Sequence, residues 1–270
     1  MRVLSWNLYH GRDFPPDPAL FTVRSRLLKR TERNDTHVQV NRPLLGEFAR
    51  VLGGLEWDVA LLQEAPPRWF GELRRRTGAA GARALTSRNL VPPLQGLLAD
   101  WNPDLIASWE GGSNQILVRE PARIAEHRTL TLTGRPERRR MHWVGIEGGA
   151  GEPVFVANLH ASAGRPARAA AEVLAAAEAA VGWSAEAPLV FGGDFNLRPA
   201  REPEPFEALR ARFGLAEPTA PDAIDHLLAR GLTVTAPPRR LADERRELEQ
   251  PDGRRLRLSD HRLIAAEFVT

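Results

Sequence analysis

Leu189-Val190-Phe191-Gly192-Gly193-Asp194-Phe195-Asn196 is an apolar run that ends in a carboxylate and an amide. A short apolar run bounded by turn residues marks a strand buried on both faces. Asp and Asn at its end cost free energy unless they are paired, hydrated or bound to an ion. The arrangement recurs along the chain. Asn7 follows Val3-Leu4-Ser5-Trp6, Glu64 follows the run 59–63, and His160 follows the run 154–159. Asp225 lies inside the strand-like stretch 223–229, and Asp260 and His261 precede the stretch 263–269. Any one of these has a plain explanation, since strand ends meet water and Asp or Asn caps turns. Six strands carrying polar residues of catalytic types at their ends point instead to a shared site.

The segments between these strands define the layers. Leu44, Leu45, Phe48, Val51, Leu52 and Leu55 recur at helical spacing, so 41–54 is an amphipathic helix closed by Gly53-Gly54. Further helices are expected at 66–76 after Pro66-Pro67, at 166–181, and at 204–213. Strand-like runs at 115–119, 124–132, 141–147 and 154–159 follow one another without a helix. Residues 77–114 carry no clear period. The stretch 13–40 reads as a long loop with a short helix near 21–30, and 236–258 as a surface loop or hairpin. Neither a βαβ array nor an all-β chain fits this order. Two mostly antiparallel sheets packed face to face, with helices outside, do fit: a four-layer αββα sandwich. No linker or repeat interrupts it, so residues 1–270 are expected to form one domain.

Composition narrows the function. The chain of 270 residues has no cysteine, which removes disulfides, thiolate metal sites and a cysteine nucleophile. A sequence pI near 10.3 suggests nucleic-acid binding, yet the formal net charge is only +3. The two agree because Lys29 is the single lysine and Tyr9 the single tyrosine. Almost nothing titrates between histidine and arginine, so a small positive excess persists to high pH. The apolar runs are too short to span a bilayer and the first residues enter a strand at once, so a cytoplasmic protein is expected, with no obligate protein partner.

No G-x-S-x-G, Walker A or H-E-x-x-H pattern is present. The acids offer hard oxygen ligands for Mg²⁺ or Mn²⁺, and histidines beside them suit hydrolysis of a phosphate ester. At this point the ordered segments Ser5-Trp6-Asn7-Leu8, Leu61-Leu62-Gln63-Glu64, Asn158-Leu159-His160, Gly192-Gly193-Asp194-Phe195-Asn196, Ile224-Asp225-His226 and Ser259-Asp260-His261 can be read together. They resemble the endonuclease/exonuclease/phosphatase superfamily, the DNase I-like fold.

The resemblance implies a role for each position. Glu64 is similar to the family's principal metal ligand, with Asn7 and Asp260 beside it. Asp194 resembles the carboxylate that orients or deprotonates the attacking water. His261 resembles the imidazole facing the scissile phosphate, oriented by Asp225. Asn196 and His160 resemble phosphate-binding groups, and Asn114 resembles a looser phosphate contact. The expected substrate is a phosphate ester, with nucleic acid among the candidates. A small-molecule or phospholipid head group is the alternative, and an inactive binding module of the same fold the third reading. Ala65-Pro66-Pro67 departs from the family, which often carries a basic or amide residue soon after the metal-ligand Glu.

Other residues receive plainer readings. His10 is expected to be a loop histidine with an ordinary hydrogen bond, and His226 to be structural because it alternates with Asp225. Trp6, Trp57 and Trp143 are expected in the core, and Trp69, Trp101 and Trp109 on the surface. The arginine-rich run 135–140 reads as a solvated turn.

Overall fold

The structure is a computed structural model and describes all residues except 88–90, 135–136, 149–152 and 217, together with the side chains of Pro92 and Pro93. Two sheets dominate. The six-stranded sheet runs in the order Thr233–Arg240, Ile264–Val269, Arg2–Asn7, Val59–Ala65, Gly112–Arg119, Ala79–Thr86. The five-stranded sheet runs Asp225–Arg230, Leu189–Asp194, Val154–His160, Arg139–Glu147, Arg123–Thr133. Each sheet is antiparallel except for one parallel pair. Those pairs are Arg2–Asn7 with Val59–Ala65 and Val154–His160 with Leu189–Asp194.

Three apolar layers hold the sandwich together. Between the sheets, Val3, Val59, Leu61 and Ile116 meet Val144, Val156, Val190 and Leu227. Outside the six-stranded sheet, Phe48, Leu52, Leu73 and Trp69 of the 45–77 region cover Trp6, Leu62 and Leu117. Outside the five-stranded sheet, helices Pro166–Ser184 and Pro203–Phe213 cover Trp143, Leu159 and Phe191. The resulting layer order is αββα. Each of these fully buried large side chains contributes roughly 1.5–3 kcal/mol of hydrophobic stabilisation.

The polar centre of the sandwich is paired across the two sheets. Gln63 Nε2 donates to Asn158 Oδ1 at 2.8 Å, and Asn158 Nδ2 donates to the carbonyls of Leu62 and Gln115 at 3.0 and 2.9 Å. This bridge fixes the relative height of the strands that carry Glu64 and His160.

Several expectations need correction. Residues 79–86 form an edge strand, and helices span Pro92–Trp101 and Pro103–Ile106 within the stretch that carried no period. Thr233–Arg240 is a strand although it contains Pro237 and Pro238; it lies at a sheet edge and its register shifts there, where proline is tolerated. The hairpin within 236–258 is real and pairs Glu247–Glu249 with Arg255–Arg257. Trp69 is buried, not superficial, and packs on Phe48. Among the described residues, no helix is long and apolar enough to cross a membrane.

Candidate active site

The two parallel pairs bring four strand ends to one rim. In a parallel pair both C-terminal ends lie at the same edge, so Asn7 stands beside Gln63, and His160 beside Asp194. The antiparallel partner of Asp194 is Asp225, the first residue of its strand. Strand Ile264–Val269 runs antiparallel to Arg2–Asn7 with Ser5 opposite Ile264, which carries the preceding Ser259-Asp260-His261 turn alongside Asn7. Ser259 Oγ donates to the Asn7 carbonyl at 2.6 Å and closes that approach.

Asp194 is the hub. Its Oδ2 accepts from Asn7 Nδ2 at 3.0 Å and lies 3.5 Å from His160 Nε2 and 3.8 Å from His261 Nε2. His261 Nδ1 bonds Asp225 Oδ2 at 2.8 Å, and its Nε2 is 3.9 Å from Asp260 Oδ1. Glu64 reaches His160 Nε2 at 3.7 Å through Oε1 and His10 Nε2 at 3.3 Å through Oε2. The Asn196 amide N–H donates to Asp194 Oδ1, and its side chain donates to the Ala161 carbonyl, both at 3.1 Å. Asn114 is buried on the strand next to Glu64's and donates to the Arg140 carbonyl at 2.8 Å. Among the described residues no hydrogen bond or ion pair joins Asn114 to the Asp194 group.

The backbone is bent where these side chains are aimed. Glu64, Asn196 and Ser259 have φ of 47°, 54° and 59°, and Tyr9 and His10 have 49° and 54°. A non-glycine residue there costs on the order of 1–2 kcal/mol, and such positions cluster at functional sites. The pairing of Glu64's strand with Gly112–Arg119 shifts register between Leu62 and Ala65. The bulge turns Glu64 out of strict alternation and toward the rim.

Electrostatics separate the groups. Burial lifts the Asp194 carboxyl to about 7, with Asp225 and Glu64 adding to the rise and His261 opposing it. Burial opposes a charged His261, but Asp225, Asp194 and Asp260 outweigh it and raise its pKa well above the ordinary value. His160 moves the other way, driven toward neutrality by burial and by Arg139. Burial disfavours a charged Glu64, yet the imidazoles of His10, His160 and His261 hold its carboxyl at about 2. Burial raises Asp260, and the nearby Glu64 charge raises it further. Asp194, Asp225 and His261 place donor atoms within 4.8 Å of one another.

Four residues do more in the structure than the sequence suggests. His10 faces Glu64 rather than making an ordinary loop contact. Arg139, within the run expected to be a solvated turn, is 6% exposed and donates to His160 Nδ1 at 3.0 Å; Arg135 and Pro136 of that run lie outside the described residues. Arg246 is buried and donates to the carbonyls of Ser259 and His261 at 2.8 and 3.1 Å. Trp6 Nε1 donates to the same His261 carbonyl at 3.1 Å. Only His10 carried a signal, its closeness to Asn7; an arginine that folds inward reads like any other. His226 is structural as expected, bonded to the Leu197 carbonyl and the Thr219 N–H.

Comparison with known proteins adds independent findings. The model of the Endonuclease/Exonuclease/phosphatase family matches residues 4–261. No curated protein matches the sequence. Among solved structures, mannosyl-6-phosphatase of Bacteroides thetaiotaomicron is similar over 100% of both chains, with 14% identity and a TM-score of 0.66. A functionally unknown conserved protein of Enterococcus faecalis is similar over 100% of this chain and 99% of that one, with 17% identity and a TM-score of 0.65. D. rerio TDP2 complexed with a single-strand DNA product is similar over 100% of this chain and 99% of that one, with 15% identity and a TM-score of 0.59. At these identities the structural likeness establishes the fold.

Proposed function

This chain belongs to the Endonuclease/Exonuclease/phosphatase family, and from that premise we propose that residues 1–270 form one domain that hydrolyses a phosphate ester, with a phosphodiester as the preferred substrate and the cytoplasm as its location. The observation that carries the reading is the convergence on Asp194. Groups from four separate segments (Asn7, His160, Asp194 with Asn196, and His261) meet at one carboxylate.

Asp194 Oδ2 accepts the proton of the attacking water. Its raised pKa favours a proton acceptor near neutral pH, and the Asn7 amide fixes the oxygen's direction. The water oxygen bonds to phosphorus as the ester P–O bond breaks, and the leaving oxygen takes a proton from solvent while Asp194 returns its own to solvent. His261, with Nδ1 held by Asp225, presents Nε2–H to the phosphoryl oxygens. A second carboxylate behind an imidazole stabilises its cationic form and its orientation. Asn196 and His160 bind phosphate oxygens, and Asn114 supplies a more distant contact.

The donor set fits a hard divalent cation. Glu64, Asp260 and the Asn7 amide oxygen offer oxygen ligands, and the mutual repulsion of the two carboxylates is what a cation relieves. The Asp194, Asp225 and His261 group suits a metal less well, because His261 Nδ1 is engaged by Asp225 and a cationic imidazole has no lone pair to offer. Bound by Glu64, Asp260 and Asn7, Mg²⁺ or Mn²⁺ would supply Lewis-acid polarisation of the phosphoryl oxygen and neutralise developing charge.

A second reading is a small or lipid-borne phosphate as substrate. Ala65-Pro66-Pro67 favours it, since the three residues after Glu64 carry no basic or amide side chain, and Arg68 beyond them is engaged by Asp100 and Glu110. Mannosyl-6-phosphatase and TDP2 with its DNA product show that this fold serves both kinds of substrate. A screen of phosphodiesters, sugar phosphates, oligonucleotides and phospholipids, with Mg²⁺ and with Mn²⁺, tests the proposal. Turnover of at least one class, abolished by chelation and by Glu64→Gln, is expected. Absence of turnover on every class would remove the enzyme reading and leave a binding module of the same fold.

A further inference from the structure

Helix Pro92–Trp101 is built inside out. Its small residues Gly96 and Ala99 face the protein, where Ala99 is fully buried. A Cβ on Gly96 would already touch Arg68. Its large apolar residues face solvent: Leu94, Leu97 and Trp101 are 55%, 69% and 59% exposed. These three lie at i, i+3 and i+7, one stripe along a helix. A surface helix ordinarily turns that stripe to the core.

A second apolar surface adjoins it. Helix Val23–Leu28 exposes Val23, Leu27 and Leu28 at 73%, 54% and 65%. The two helices are tied together: Asn102, which caps the end of the first, donates to the Arg26 carbonyl at 2.8 Å and shares a hydrogen bond with Asn41, which in turn donates to the Ser25 and Arg26 carbonyls. Exposed apolar stripes on two helices tied together in this way mark an interaction site rather than chance exposure.

Charge identifies the occupant. Residues 18–31 contain Arg24, Arg26, Lys29 and Arg30 and no acid. All four cations are exposed, and none makes an ion pair among the described residues. Arg26 lies near Asp104, but a protein partner would have to bury Arg24, Lys29 and Arg30 beside the leucines. A lipid surface separates the two: apolar side chains enter the acyl boundary, while long cationic side chains stay at anionic head groups. Exposed Trp101 and Trp109 suit the same boundary.

We propose that this face, made by helices Val23–Leu28 and Pro92–Trp101, docks the protein on an anionic phospholipid bilayer. The face borders the catalytic rim. An aromatic chain links them, with Tyr9 edge-on to Phe14 at 5.7 Å and Phe14 against Phe21 at 5.4 Å. Tyr9 itself follows Asn7 by two positions. Docking would therefore hold the Asp194 site close to the head-group layer, and that catalytic consequence rests on the hydrolase reading above, whereas docking itself does not.

The test is co-sedimentation of the full chain with phosphatidylcholine vesicles, with and without phosphatidylserine, beside hydrolysis of a soluble phosphodiester. Binding to the serine-containing vesicles should exceed binding to the neutral ones by about tenfold or more and weaken with salt. Leu27→Asp with Leu97→Asp should lower it about tenfold, and Arg24→Gln with Lys29→Gln and Arg30→Gln should remove the lipid selectivity. Both sets alter exposed side chains outside the site and should leave soluble turnover unchanged, so a failed docking claim and a failed hydrolase claim give different results. Equal binding to both vesicle types, no binding, or binding untouched by the variants overturns the proposal. Self-association of the wild type that Leu97→Asp abolishes, without vesicle binding, assigns the face to a second copy and also overturns it.

Discussion

His261 and Asp225, 36 positions apart in the chain, are joined by a 2.8 Å hydrogen bond from the imidazole Nδ1 to a carboxylate oxygen. The bond exists because Asp225 opens a strand that pairs with Leu189–Asp194, while the His261 turn is carried in by the other sheet. It is therefore a contact across the sandwich, and it leaves His261 Nε2 as the end that faces Asp194. Asp225→Asn should keep the fold but lose the charge that sustains the imidazolium. Turnover of the best substrate is expected to fall by about 10²–10⁴-fold, with a thermal midpoint near that of the wild type. A variant with unchanged kcat would show that the pair is only structural.

Arg246 and Asp243 support the same turn from behind. Burial works against the Asp243 charge, but hydrogen bonds from Arg262 and Arg246 hold its carboxyl at about 2. A depressed folded-state pKa adds stability that is complete above the unfolded value near 3.8 and lost as pH falls toward about 2. Asp243→Asn should therefore destabilise the protein by on the order of 1–2 kcal/mol at neutral pH, and the deficit should shrink between pH 4 and pH 2, on that same carboxyl titration. Urea unfolding at several pH values measures it. A deficit that persists undiminished in acid would contradict the linkage.

How much of this was legible in the sequence follows from which signals are local. The run 189–194 was read with its observed limits because apolar continuity and a terminal acid are both local features. The order of strands and helices points to the sandwich, and the polar strand ends point to its rim. Ala79–Thr86 was missed because Ala-Ala-Gly-Ala-Arg-Ala has little strand propensity and gains its conformation by pairing with Gly112–Arg119. Arg139 and Arg246 were missed because nothing local separates an arginine that folds onto His160 or onto a carbonyl pair from one left in water. His10 depends on a positive φ that only the folded loop reveals.

Gly193 shows how tightly the rim is built. Its φ is +125°, and a Cβ there would run into the Leu159 carbonyl oxygen of the neighbouring strand. Gly193→Ala must either part the parallel pair that holds His160 beside Asp194 or distort the turn. A loss of roughly 3 kcal/mol or more is expected, together with weakened activity in whatever fraction folds. A thermal midpoint within a degree or two of the wild type would be inconsistent with this packing.

The cross-sheet amides make a separate claim on stability. Asn158→Leu removes the acceptor for Gln63 and both donors that satisfy the Leu62 and Gln115 carbonyls. Gln63 Nε2 keeps Ser5 Oγ and the Leu61 carbonyl as acceptors at 3.2 Å, so the loss falls on the two carbonyls and should cost about 1–3 kcal/mol, read as a shift of the urea midpoint. A neutral effect would mean that the strands bearing Glu64 and His160 are set by apolar packing alone.

Cation binding can be read apart from turnover. Titration calorimetry with Mn²⁺ should show a site whose affinity falls about tenfold or more in Glu64→Gln. Asp225→Asn should leave that affinity nearly unchanged. The reverse ranking would move the cation to the Asp194, Asp225 and His261 group.

The most direct measurement is the turnover of the best phosphate ester by Asp194→Asn in saturating Mg²⁺ or Mn²⁺. Asparagine keeps the shape at the hub but cannot take a proton from water, so kcat should fall by about 10³-fold or more while the protein stays folded. Wild-type kcat in the folded variant would show that the carboxylate on which these strands converge does not perform the chemistry.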